Sequence, residues 1–166
     1  MKFSASYDLS TKIITASVTL LLLTVLGITG IYEKAVRGFP LVLLLLICIL
    51  TLVLSFGLSV KKYRISNEKL TICRPFGNKR IPLTTLVSAK VIDPKLLRWS
   101  WRIFGSGGMF GYYGIFGNKQ LGTMKWYMTR KDKAVLLETV NHKKIALSPD
   151  DPDGFVNTYQ MLSGRS

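Results

Sequence analysis

Two runs of apolar residues, Ile13 to Tyr32 and Gly38 to Val60, contain no Asp, Glu, Lys, Arg or His, and beyond Val60 the apolar positions fall into a period of two. An α-helix rises about 1.5 Å per residue, so about 20 residues cover the roughly 30 Å hydrocarbon core of a bilayer. Each run is long enough, and neither keeps the polar stripe of a helix lying on a soluble core. The pattern predicts a tail over 1–12, a transmembrane helix over 13–32, a short external loop over 33–37 and a second transmembrane helix over 38–60. The first run exceeds the apolar segment of a signal peptide, and no small-residue cleavage site precedes Glu33, so it is read as retained. Hydroxyls such as those of Thr15 and Thr24 are expected to bond back to carbonyls one turn earlier, and Gly27 and Gly30 to let the two helices approach. With no charge inside either run, a pore or proton relay is not expected.

Short alternating segments follow: Tyr63–Ser66, Leu70–Cys73, Lys79–Leu83, Leu86–Ile92, Thr123–Thr129, Ala134–Val140 and Lys143–Leu147. Asn67 to Lys69 and Arg130 to Lys133 read as hairpin turns between them. Strands at this spacing predict a small antiparallel sandwich or a bent, partly open barrel of about seven strands. Asp151 then suits an N-cap, Pro152 a first helical residue, and Asp153 the positive end of the helix dipole. Phe155, Val156, Tyr159 and Leu162 share one face of that helix, which Gly164 can close. The acidic run Asp150, Asp151, Asp153 is accordingly read as capping and not as a metal cluster.

The segment 98–117 interrupts this alternation. Gly105, Gly108, Gly111, Gly114 and Gly117 recur every third residue, with Phe104, Phe110, Tyr113 and Phe116 before four of them. No Gly-Lys-Ser/Thr sequence is present, so a nucleotide-binding loop is set aside. Two readings remain open: the glycines form a tight turn with the aromatics in the core, or Trp99, Trp101, Tyr112 and Tyr113 lie at lipid-headgroup level beside Arg98 and Arg102.

Charge sharpens the picture. The chain carries 23 Lys and Arg against 9 Asp and Glu in 166 residues, and from Lys61 onward the ratio is 19 to 7. Such an excess beside a membrane span suits an anionic lipid surface, which is preferred here over nucleic acid. The Lys61, Lys62, Arg64 cluster and the basic tail place both ends on the cytoplasmic side by the positive-inside rule. Cys48 and Cys73 lie in different parts of the chain and form no CxxC motif, as expected in a reducing cytosol. His142 sits in a turn without a nucleophile pattern.

Ile81-Pro82-Leu83 in the third predicted strand, Leu147 to Pro152 leading into the helix around Phe155, and the block Arg102 to Gly114 together resemble the bacterial PH-like domain family, membrane-anchored type. The resemblance implies a bent sheet of seven strands capped by a C-terminal helix over 61–166, placed after two spans, and it names no reaction. Eukaryotic PH domains that grip inositol phosphates carry basic residues in a long loop between their first two strands. Here that loop is only Asn67-Glu68-Lys69, so specific phosphoinositide recognition is not carried over.

The expectation is a non-enzymatic binding or scaffold protein of a bacterial inner membrane, without cofactor or metal. Lys61, Lys62, Arg64, Arg98, Trp99, Trp101 and Arg102 are its candidate contacts with anionic lipid. Phe110, Tyr112, Tyr113 and Phe116 are its candidate contacts with a protein partner, a second copy of the chain among them. The alternative is an accessory subunit of a membrane enzyme or transporter, with segment 98–117 as its contact or active site; no nucleophile–base pair or carboxylate pair supports catalysis.

Overall fold

A computed structural model describes residues 1–31 and 39–164, which form ten strands and three α-helices. The expected external loop 33–37 lies outside the described residues. The chain begins with strand β1 (Lys2–Ser4), then runs through helices α1 (Leu9–Ile31) and α2 (Phe39–Leu58) before the β-rich part starts at β2 (Lys62–Ile65). β3 (Lys69–Cys73), β4 (Lys79–Pro82) and β5 (Leu86–Ile92) follow, then β6 (Trp101–Gly108), β7 (Gly111–Asn118), β8 (Gly122–Met128), β9 (Ala134–Thr139), β10 (Lys144–Leu147) and helix α3 (Pro152–Ser163).

The seven expected strands are all present, and three more join them. The first is β1, which pairs antiparallel with β2 so that Lys2 faces Arg64, Phe3 faces Tyr63 and Ser4 faces Lys62. Residues 1–12 are therefore not a free tail: they supply an edge strand and, from Leu9, the first turn of α1. Asp8 caps that turn, its carboxylate accepting from the Thr11 N–H at 2.7 Å. Both helices are thus an insertion between two neighbouring strands. α1 is long and apolar enough over Leu9–Ile28 to cross a membrane, while the described side chains of α2, Val42–Leu58, make a shorter apolar helix.

Strands β1-β2-β3-β4 form one sheet and β5-β9-β10-β8-β7-β6 a second, with no closed barrel among the described residues. One pairing departs from the all-antiparallel expectation: β10 runs parallel to β8. Arg130 to Lys133 is not a hairpin turn. It carries the chain from β8 past β10 to β9, because the β9–β10 hairpin folds back through Asn141-His142 into the space between them.

Two cores result. Tyr63, Ile65, Leu70 and Ile72 of the first sheet pack with Leu86, Val135 and Leu137 of the second under Phe155 and Tyr159 of α3. The Asp151 side chain caps α3 by accepting from Gly154 N, and Gly164, at φ 64°, ends it as the sequence implied. The second core lies on the β7–β8 face, where the Trp126 indole stacks on Phe116 at 4.1 Å with Met124, Met128 and Tyr112 around them.

The glycine–aromatic segment is a β-hairpin, β6–β7, turning at Met109-Phe110. Glycine disfavours strands in general, but here two glycines are required. Gly105 and Gly114 face each other at φ 111° and 129°; a Cβ on Gly105 would lie 2.1 Å from the Tyr113 carbonyl oxygen, and one on Gly114 2.1 Å from that of Phe104. At Gly27 a Cβ would meet nothing within 4 Å, so no close approach occurs there. The tight contact is at Gly57, where the Phe76 ring lies over the bare Cα and Phe76 N donates to Gly57 O at 2.8 Å.

Candidate functional site

The roots of both helices are bound into the β domain through the arm that joins β1 to α1. Asp150 accepts from the Ser6 hydroxyl at 2.5 Å and from Arg130 at 3.2 Å, and Arg130 also grips Asp132 at 2.5 Å. The three charged groups stabilise one another. Asp132 is held below the usual carboxylate range by the Arg130 hydrogen bond. At Asp150 burial works upward, but bonds from Ser6 and Arg130 outweigh it and hold this carboxyl low as well. Asp150 is thus an arm clamp and not a helix cap. Asp8 accepts a second bond from Lys131 N at 3.1 Å, and the buried Thr11 hydroxyl donates to Thr129 O at 3.0 Å. At the other root, the Lys61 ammonium donates to Tyr7 Oη at 3.0 Å and stands 4.5 Å from the centre of the Phe56 ring.

The tip of the β6–β7 hairpin rests on both helices within two turns of their roots. Phe110 N donates to the Thr15 hydroxyl of α1 at 2.9 Å, which gives that hydroxyl a partner outside its own helix. Thr24 does bond back, to Leu20 O at 2.9 Å. The Phe110 ring meets Phe56 of α2 edge-on at 5.7 Å, and Tyr113 Oη donates to Ser55 O at 3.0 Å. Ile14 fills the space that a side chain on Gly108 would need.

Strand β6 is the free edge of its sheet, and its large side chains face outward. Trp101 is 51% exposed, Ile103 55% and Phe104 74%, with Trp99 just before them at 80%. By register, Phe104 faces Ile115 and Trp101 faces Gly117, which Trp101 covers with its ring. Ile115 and Gly117 share the β7 face that carries Tyr113 to α2, since side chains alternate along a strand. Trp101 and Phe104 therefore lie on the helix-side face of the sheet. Between the β6–β7 hairpin and the helices a cavity of about 390 Å³ opens, lined by Ile14, Val18, Leu54, Arg102, Ser106 and Tyr113 among others.

The candidate lipid contacts fall into two groups. Arg98, Trp99, Trp101 and Arg102 gather around the start of β6, with the Arg98 guanidinium 5.9 Å from the Trp99 ring centre. Lys62 and Arg64 belong to the other sheet, where both are exposed on one side of β2. Lys61 lies at the helix root, engaged as described. The candidate partner contacts fare differently. Tyr112 and Phe116 are 2% and 3% exposed in the second core and Tyr113 is buried against α2, while Phe110, half-buried, packs on Phe56. Burial of Tyr112 also pushes its phenol pKa up. Tyr112 and Phe116 are core, as the first reading of segment 98–117 has it, while Trp99 and Trp101 are exposed.

Ile103, Phe104 and Lys2 are absent from the candidate contacts read from the sequence. Ile103 is the extra residue of a bulge between Arg102 and Phe104, which breaks the alternation that would have marked it as outward. Lys2 stands opposite Arg64, a like-charge pairing invisible without the β1–β2 register.

Against known protein families, residues 61–163 match one described as bacterial PH domain. No curated protein and no solved structure matches the chain.

Proposed function

The chain belongs to the bacterial PH domain family, and from that premise we propose a membrane-anchored, non-enzymatic binding module whose basic domain is held against the cytoplasmic face of the inner membrane, where it engages an anionic lipid surface or a protein lying in it. The observation that carries this reading is the insertion of α1 and α2 between the paired strands β1 and β2. Two helices that leave and re-enter one sheet have both roots on the same side of a bilayer. Their outer surfaces are rich in exposed apolar side chains, Leu20, Leu21 and Leu23 on α1 and Leu46, Ile47 and Leu50 on α2, which no other part of the described protein covers. Patches of this extent on a protein mark a partner or a membrane. We read both helices as spans, joined outside by 33–37, with the sheet edge β6 lying at headgroup depth. The basic residues support the orientation, each worth about 1 kcal/mol near an anionic surface. The bulge at Ile103 blunts β6 against strand addition, which favours lipid contact over a partner strand pairing there.

Tryptophan fluorescence tests this. In vesicles containing brominated lipid, the full chain should be quenched through exposed Trp99 and Trp101. The double variant Trp99→Phe, Trp101→Phe retains Trp126, 1% exposed in the second core, and should be quenched far less. Equal and weak quenching of both proteins would refute a membrane-facing β6.

A further inference from the structure

We propose that the cavity at the root of the helical pair binds one anionic glycerophospholipid, with its phosphate against Arg102 and an acyl chain along Val18 and Leu54. This rests on reading the helices as membrane-embedded. The cavity is two-ended. Ile14 and Val18 of α1 with Leu54 and Leu58 of α2 make an apolar wall, while Arg102 and Ser106 stand on the β6 side. Its volume of about 390 Å³ lies within the range of small-molecule sites.

Arg102 is the exposed cation of this site. Among the described residues the ion pairs belong to Arg130 and His142, and Arg102 takes part in none. Its side chain reaches forward along β6, so that a Cβ on Gly107 would lie 3.2 Å from its Nη1; glycine there leaves the guanidinium room. Ser106 Oγ donates to Met109 O at 2.9 Å and keeps lone pairs, whereas the Tyr113 hydroxyl is committed to Ser55 O. The donor fork of Arg102 thus has no acceptor among the described residues, and a phosphate satisfies it with two parallel bonds.

Depth decides the remaining chemistry. Ile14 is five residues beyond the start of α1, about 7.5 Å along its axis, and Leu54 is about 6 Å before the end of α2. That is the distance over which a lipid passes from phosphate to acyl chain. A nucleotide phosphate would fit Arg102 but would press a polar base against Val18 and Leu54. A neutral hydrocarbon would fit the wall and leave Arg102 without a counter-charge.

Native mass spectrometry of the full chain in dodecyl maltoside, with phosphatidylglycerol or phosphatidylcholine added, tests the site. One phosphatidylglycerol should be retained, and phosphatidylcholine much less. Arg102→Gln should lower retention about tenfold, the loss expected for one charge-assisted contact, and Arg102→Lys should keep part of it. Val18→Trp fills the apolar end with every charge intact and should lower retention at least as much, while Lys119→Gln, outside the cavity, should change nothing. Equal retention by wild type, Arg102→Gln and Val18→Trp would overturn the site, as would equal retention of the two lipids. Membrane anchoring is read separately by alkaline carbonate extraction: wild type and Arg102→Gln should both stay in the membrane pellet, and release of wild type would overturn the anchored reading and this site with it.

Discussion

Gly105 lies directly opposite Gly114 across β6 and β7, each at positive φ and each with a backbone carbonyl of the other strand 2.1 Å from where a Cβ would stand. The obstructing atoms are main chain, so a flexible side chain cannot yield to make room. Gly105→Ala and Gly114→Ala should each cost at least the roughly 1–3 kcal/mol of a strained backbone, seen as a lower Tm of the purified full chain. Gly27→Ala, with nothing within 4 Å, is the control and should leave Tm unchanged or slightly raised. Equal Tm for all three variants would contradict the assigned hairpin.

The β1–β2 pairing changes what counts as the folded unit. A fragment from Lys61 to Ser166 keeps nine of the ten strands but exposes the β2 edge and loses buried Ala5 from the first core. It should remain mostly β by circular dichroism, yet melt below a chain in which residues 1–7 are joined to Lys61 by a short Gly-Ser linker. Such a linker is feasible because Tyr7 and Lys61 already touch, at 3.0 Å. Identical melting of the two chains would mean that β1 adds nothing.

Tyr63 is fully buried, donating to Tyr127 O at 2.6 Å and accepting from Ser148 N at 3.1 Å. Tyr63→Phe leaves both groups without that partner and should cost about 1–3 kcal/mol in denaturant unfolding. Burial pushes the Tyr63 phenol up to about 12 from its ordinary 10. The folded state therefore holds this proton more tightly than the unfolded chain. Its contribution is complete below pH 10 and is lost as pH rises from 10 through 12, a loss that Tyr63→Phe should lack.

What could be read in advance was local. Asp151-Pro152 and Gly164 carry their capping chemistry within a few residues, and α3 begins and ends there. The alternating strands were equally legible, because a period of two survives without knowledge of the partner. β1 was hidden since three residues carry no period and their partner lies beyond two helices. β6 and β7 were hidden by glycines that argue against a strand unless the facing strand is known. Arg130 to Lys133 had turn composition, but only the three-dimensional order shows β10 lying between the strands it joins. Asp150 sat one residue before a cap and turned out to hold Ser6 and Arg130. Aromatic composition alone could not separate Trp101 from Tyr112; their opposite burial follows from register.

Sidedness is the central consequence of the proposed function, which has two spans and a cytoplasmic domain. In a chain carrying Cys48→Ser and Cys73→Ser, Ala35→Cys probes the expected external loop and Asn67→Cys the exposed turn between β2 and β3. A membrane-impermeant maleimide applied to intact cells should label Ala35→Cys, and should label Asn67→Cys only after the membrane is opened. Ready labelling of Asn67→Cys in intact cells, with Ala35→Cys protected, would contradict the proposed topology.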